Sequence, residues 1–374
     1  MKQSFKLMTV FDIPIEINYT WFIIFGLVLV TLAQGFFPLT NPGNNTFIYW
    51  AAAMLATLLL FGSLLLHELS HSYVAKRNKL PIKGITLFVF GGVAHLEREP
   101  QNPNVELKMA IAGPICSIAL SIFFYSLTVF FKSIGVASIL VSMTYYLFII
   151  NLFVAIFNMI PGFPLDGGRV LRALIWKYTN NIRTATRIAS NIGKGVAIAL
   201  MGLGILQLFG GAFVAGVWLI FIGLFLMEAA QMSYKQLVFK KALVGMHVYD
   251  IMSQNVITAP SDLTITKLID EYFFRFRHAS FPVIEDDKII GVVTLHDIKE
   301  IPKEKWSSTI AGAAMRPLSA RLTTSSHSTV ASALQLLATN GLGRALVMED
   351  GKLLGIVSQK DIAKLFQMKE DLEQ

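Results

Sequence analysis

Residues 62–77 read G-S-L-L-L-H-E-L-S-H-S-Y-V-A-K-R, so that His67, Glu68 and His71 interrupt an apolar run extending from about Trp50 to Tyr73. A run of that length can cross a bilayer, whose hydrocarbon core takes about 20 helical residues. Ionisable side chains inside such a run are costly, and are usually kept for a function. Positions i and i+4 of a helix share a face, so His67 and His71 can both reach one ion. Glu68 sits beside that face, where it can touch a water at the ion. The competing reading of the same three residues is a buried, hydrogen-bonded polar cluster.

The rest of the chain agrees with a membrane setting. Of its 374 residues, 54% are hydrophobic and 15% charged, where a globular protein carries about 25% charged residues. Mean hydropathy is +0.58. The net charge of +8 suits either nucleic acid or a membrane. The basic residues sit at the ends of apolar runs, which favours membrane topology and leaves no nucleic-acid partner expected. Cys116 is the only cysteine, so no intramolecular disulfide and no Cys-ligated structural zinc is expected; it reads as a small buried hydrophobe. Lys2 and Lys6 precede a polar stretch and then a full-length apolar run, which is not the pattern of a cleavable signal peptide.

Six candidate spans follow: 20–37, 50–73, 107–131, 141–160, 192–209 and 213–232. Lys and Arg alternate between the connections. Lys76, Arg77, Lys79 and Lys83 follow the second span, Arg169, Arg172, Lys177, Arg183 and Arg187 the fourth, and Lys235, Lys240 and Lys241 the sixth, whereas residues 38–49 contain none. The positive-inside rule then puts both termini in the cytoplasm. Residues 85–96, I-T-L-F-V-F-G-G-V-A-H-L, are too short to span and rich in β-formers. They read as a β-hairpin turning at Gly91–Gly92 and re-entering the membrane. Such backbone survives at membrane depth only under protein cover or along a wet cavity. His95 reads as a strand or loop histidine, and Glu97 and Glu99 as a solvated rim.

A catalytic zinc takes three protein ligands and keeps one position open. The segment N158-M-I-P-G-F-P-L-D-G-G-R169 offers the third, Asp166. Pro161 and Pro164 end the fourth span in extended backbone, and Gly167 and Gly168 permit a tight turn. His71 lies about one and a half turns from Lys76, so both halves meet near the cytoplasmic face. Asn158 is a candidate hydrogen-bond donor to an oxyanion or to substrate backbone, or a structural amide. Asp166 could instead pair with Arg169 or cap the next helix.

Beyond Lys241 the chain turns polar and repeats itself. Residues 252–297 and 315–361 each run helix, strand, turn, strand, helix.

Together these motifs resemble the site-2 proteases, intramembrane metalloproteases, in the subgroup with C-terminal CBS domains. The matching elements are H67-E-L-S-H71, F90-G-G, an A112-G-P turn opening the third span, and N158–R169. The resemblance implies zinc on His67, His71 and Asp166, Glu68 as base, and substrates that are transmembrane helices of membrane-tethered regulators, cut within the bilayer. The repeats resemble a tandem CBS pair, whose nucleotide signature reads G291-V-V-T-L-H-D297 and G355-I-V-S-Q-K-D361. That implies Thr294 and Ser358 on phosphate, Asp297 and Asp361 on ribose, and ATP or another adenine nucleotide as ligand. Some such pairs serve instead as homodimer contacts.

The expected fold is therefore a polytopic α-helical membrane protein with six spans and a re-entrant β-hairpin, followed by an α/β tandem CBS module. The expected divisions are a protease domain over 1–235, a linker over 236–248, and CBS domains over 249–305 and 309–368. A CBS-gated ion channel or transporter and an inactive helix-binding scaffold are the alternatives. A channel needs polar residues spread along several spans, and here they converge on one site.

Overall fold

The structure, a computed structural model, describes residues 4–372 apart from 90, 97 and 244. Lys2, Phe90 and Glu97, used above, lie outside the described residues, as do the side chains of Lys240 and Lys241. Two compact units divide between Leu237 and Val238.

Among the described residues, six helices of the first unit are long and apolar enough to cross a membrane. The first is α1 (Trp21–Thr31), which continues through a wider turn at Leu32–Phe36 into α2 (Phe37–Thr40). The others are α3 (Thr46–Arg77), α4 (Pro103–Ser133), α5 (Ser138–Asn158), α7 (Ile182–Phe209) and α8 (Phe213–Ala242); α6 (Asp166–Thr179) is shorter. The chain forms a multi-pass membrane protein. Asn45 caps α3 by accepting from the Phe47 N–H, as an N-cap asparagine should. Helices α3, α4 and α5 share a core around Ala53, Ala56, Leu60, Phe124 and Leu147. Small residues let these helices approach closely, and buried hydroxyls bond across them: Ser121 Oγ donates to the Phe148 carbonyl at 3.1 Å. Both are habits of helix packing in lipid.

Three expectations need correcting. The stretch before the first span, read as polar and given no element, is a strand pair. It forms β1 (Ser4–Val10) and β2 (Ile13–Asn18), joined by Phe11 and Asp12, both at positive φ. Gly91 and Gly92 do not make the later turn, because β3 (Ile82–Phe88) and β4 (Gly91–Leu96) pair Phe88 with Gly91 and Leu87 with Gly92. Nor is Ala112–Pro114 a turn opening a span: it lies well inside α4. The four strands form one sheet in the order β1-β2-β3-β4, with β2 parallel to β3. Ile13 and Ile85 bury against Leu69 of α3, and Ile17 and Leu87 against Trp21 and Phe61. This packing seats the sheet on the helix that carries the two histidines and leaves β4 as its outer strand.

The second unit has two sheets. One, in the order β5-β6-β7-β8, contains β5 (Ala259–Pro260), β6 (Ser280–Glu285), β7 (Lys288–Thr294) and β8 (Arg316–Pro317). The other, in the order β11-β10-β9, contains β9 (Thr323–Thr324), β10 (Arg344–Glu349) and β11 (Lys352–Ser358). The helices are α9 (Ile265–Leu268), α10 (Leu295–Lys299), α11 (Ala311–Ala314), α12 (Val330–Thr339) and α13 (Gln359–Leu372). The repeats exchange their leading segments. Arg316–Pro317, at the head of the second repeat, pairs with β7 of the first, and Ser253, at the head of the first, bridges Ile356 of the second. Gly355 and Gly291 take the side chains of Met252 and Met315 where a Cβ would stand.

Candidate metal centre

His67 and His71 lie one turn apart on α3, both buried. Asp166 is the first residue of α6, where the chain re-enters a helix after the Pro161–Pro164 segment. Gly167 and Gly168 make that return possible by close approach. A Cβ on Gly167 would strike the carbonyls of Met159 and Ile160, and one on Gly168 the backbone of Gly162 and Phe163. The result brings together the three residues singled out by their spacing. His67 Nε2 and His71 Nε2 are 3.2 Å apart, and Asp166 Oδ2 is 3.2 Å from the first and 3.1 Å from the second. Among the described residues these three form the group whose donor atoms could hold a metal ion.

The donors fit a zinc ion. Ligands about 2.0 Å from a tetrahedral centre lie about 3.3 Å from one another, which matches the observed triangle. Tautomers give a second argument. His71 Nδ1 is 2.6 Å from the Met109 carbonyl. A carbonyl only accepts, so Nδ1 carries the proton and a neutral His71 turns the bare lone pair of Nε2 towards the Asp166 carboxylate. Two lone pairs at 3.1 Å repel unless a cation lies between them. Ser117 Oγ is 2.8 Å from His67 Nδ1 and completes the same arrangement when its oxygen accepts. Such partners fix ring orientation and ligand basicity.

Three contributors escaped the reading of spacing. Gly113 of α4 faces the histidines so closely that a Cβ there would strike Nε2 of both. Ser117, one turn on, and the Met109 carbonyl, one turn back, complete the α4 face. A small-residue position within an apolar helix is the signal for the first; a backbone carbonyl leaves none.

The half-buried Glu68 lines a cavity of about 310 Å³ together with His67, His71, Asn158, Asp166 and Arg169. Residues of β4 form another of its walls. Gly92 of β4 packs against the Glu68 side chain, and a Cβ there would strike its Cγ and Cδ. Asn158, the last residue of α5, thus faces the same space as Glu68. His95 lies in β4 with Nε2 3.1 Å from Thr86 Oγ1.

In the second unit, Thr294 and Asp297 bond each other at the start of α10, Oγ1 to Oδ2 at 2.6 Å. Arg316 Nε donates to Asp297 Oδ1 at 2.7 Å. Ser358 and Asp361 repeat the pairing at 2.7 Å at the start of α13. Both are reciprocal caps.

A family model described as peptidase family M50 matches residues 55–141 and 132–202, and the CBS domain model matches 248–304 and 315–367. The zinc metalloprotease MJ0392 of Methanocaldococcus jannaschii is 31% identical over 100% of both chains. Rip3 of Mycobacterium tuberculosis is 32% identical over 98% of this chain and 93% of that one. The solved site-2 protease of Methanocaldococcus jannaschii is 34% identical and covers 62% of this chain and 95% of that chain, with a TM-score of 0.44.

Proposed function

Since the chain belongs to peptidase family M50 and is a zinc metalloprotease with C-terminal CBS domains, we propose that it hydrolyses peptide bonds within transmembrane helices. The observation that carries this reading is the triangle of His67, His71 and Asp166 donors beside Glu68, in a cavity among apolar helices. His67, His71 and Asp166 would hold zinc, which supplies Lewis acidity at a peptide carbonyl and lowers the pKa of water. Glu68 takes the proton of the attacking water and passes it to the leaving amine. Gly92 lets the Glu68 side chain lie against the strand and restricts where the carboxylate can swing. Asn158, which lines the same cavity, would donate to the developing oxyanion or to substrate backbone. A transmembrane helix must unwind locally before its peptide bonds can be reached. The outer strand β4 can take such an extended segment as an added strand, pairing backbone groups that lipid would leave unsatisfied.

The substrate class is a membrane-tethered regulator, released by cleavage within the bilayer. The distribution of Lys and Arg puts both termini and the CBS module in the cytoplasm. An adenine nucleotide at the Thr294–Asp297 or Ser358–Asp361 sites would regulate the protease, and the same module is a candidate homodimer contact. Glu68→Gln is the test of the protease reading. It should abolish cleavage of a model transmembrane substrate in proteoliposomes while zinc content stays at wild-type level. Cleavage continuing at the wild-type rate would sink it.

A further inference from the structure

The metal triangle joins two parts of the unit that are far apart in the chain. The histidines stand on α3, braced by Met109, Gly113 and Ser117 of α4. Asp166 stands on α6, beyond the Met159–Leu165 segment. The α4–α6 contact is therefore one that can set the depth of Asp166 against the histidines. The buried residues of α6 are Gly167, Gly168, Arg172 and Ala173. Apart from Arg172 that face is smooth, and small side chains allow approach without fixing register.

Arg172 lies six residues beyond Asp166, about 9 Å along the helix. It forms a buried ion pair with Glu106, in the first turn of α4, three residues before Met109. Arg172 Nε donates to Glu106 Oε1 at 2.7 Å and Nη2 donates to the same oxygen. Glu106 is wholly buried, and its Oε2 has no hydrogen-bond partner among the described residues. The Arg172 guanidinium also lies 5.0 Å from the centre of the Phe163 ring, so one side chain grips both α4 and the segment that delivers Asp166. Buried pairs are weak stabilisers against apolar replacements, and a carboxylate oxygen left unpaired adds to their cost. Their best-attested use is to fix register.

We infer that Glu106 and Arg172 are positioning residues: a register lock between α4 and α6 that holds Asp166 over the two histidines. The inference rests on the metal reading of the triangle. It separates site geometry from stability, and that separation is testable. In the full-length chain in detergent, Glu106→Met/Arg172→Met replaces the pair with apolar side chains and keeps a polarisable group against Phe163. The zinc-free double variant should melt no lower than the zinc-free wild type. Its zinc affinity, measured against a competing chelator, should fall 10- to 100-fold, the usual effect of losing a partner that orients ligands. The visible spectrum of bound Co²⁺ should depart from the wild-type tetrahedral pattern. Glu106→Gln alone leaves Arg172 uncompensated and should lower both stability and affinity. Wild-type zinc affinity in a folded double variant would overturn the lock. So would a double variant that does not fold, because the pair would then be a determinant of the fold. If the unsubstituted chain binds no zinc, the metal reading fails first, and the lock with it.

Discussion

Gly113 shows how much a single missing methyl group controls. A Cβ there would occupy the space of both ligand nitrogens. Alanine favours a helix by about 1 kcal/mol over glycine, so Gly113→Ala should keep or raise helix content by circular dichroism. Zinc affinity should nevertheless fall by about 100-fold or more, at the upper end of what neighbours of ligands usually cost. Retained affinity would refute the close approach. Ser117→Ala removes the partner of His67 Nδ1 and should weaken zinc about tenfold in a chelator competition, with the fold intact. The ligands themselves were legible because an i, i+4 spacing is a local fact. Asp166 was legible because prolines and glycines advertise a broken helix. Ser117 and the Met109 carbonyl were not, and Gly113 showed only as part of the A112-G-P motif without its role, since they act across a helix–helix contact that no local pattern encodes.

At the scale of elements, the hairpin near residues 85–96 was legible from its β-formers, but its turn was misplaced at Gly91–Gly92. β3 lies between β2 and β4. A proline there removes a ladder bond from inside the sheet and confuses unfolding with loss of function. The informative position is on β4. Ala94→Pro, opposite Ile85 and with its N–H facing away from β3, should slow substrate cleavage roughly five- to tenfold, the worth of about one backbone hydrogen bond, while zinc content stays near wild type. An unchanged rate would count against strand addition. The N-terminal hairpin was missed although part of its signal is present: Ile13, Ile15 and Ile17 alternate with Pro14 and Glu16. Its turn uses Phe11 and Asp12 at positive φ in place of the Asn-Gly pair that usually marks a two-residue loop. The start of α7 at Ile182 was missed for another reason. Arg183 and Arg187 read as loop charges, yet a helix that reaches past the hydrocarbon can carry them in its first turns.

Across the whole molecule, the proposed topology can be read through the single cysteine. Cys116→Ser yields a cysteine-free background. In intact cells, a cysteine at Asn44 should react with a membrane-impermeant maleimide, and one at Lys79 or Asp286 should react only after lysis. The reverse pattern would invert the topology. Nucleotide regulation is tested by calorimetry on the full chain with ATP or AMP. Asp361→Asn should weaken nucleotide binding by about 1.5–3 kcal/mol, the range for losing one hydrogen bond to a charged group. The two repeats were visible in the sequence as copies, but their exchange of leading segments was not, because it depends on which copy each segment meets in space. Arg316–Pro317 completes the sheet of the first repeat, and Ser253 bridges to the second. A chain truncated before Met315 would therefore not retain half of a working module. It would present β7 with an open edge and Gly291 with an unfilled notch, a surface suited to aggregation and to quality-control proteases. Nonsense or frameshift lesions anywhere in this region should thus behave as loss of the entire C-terminal unit.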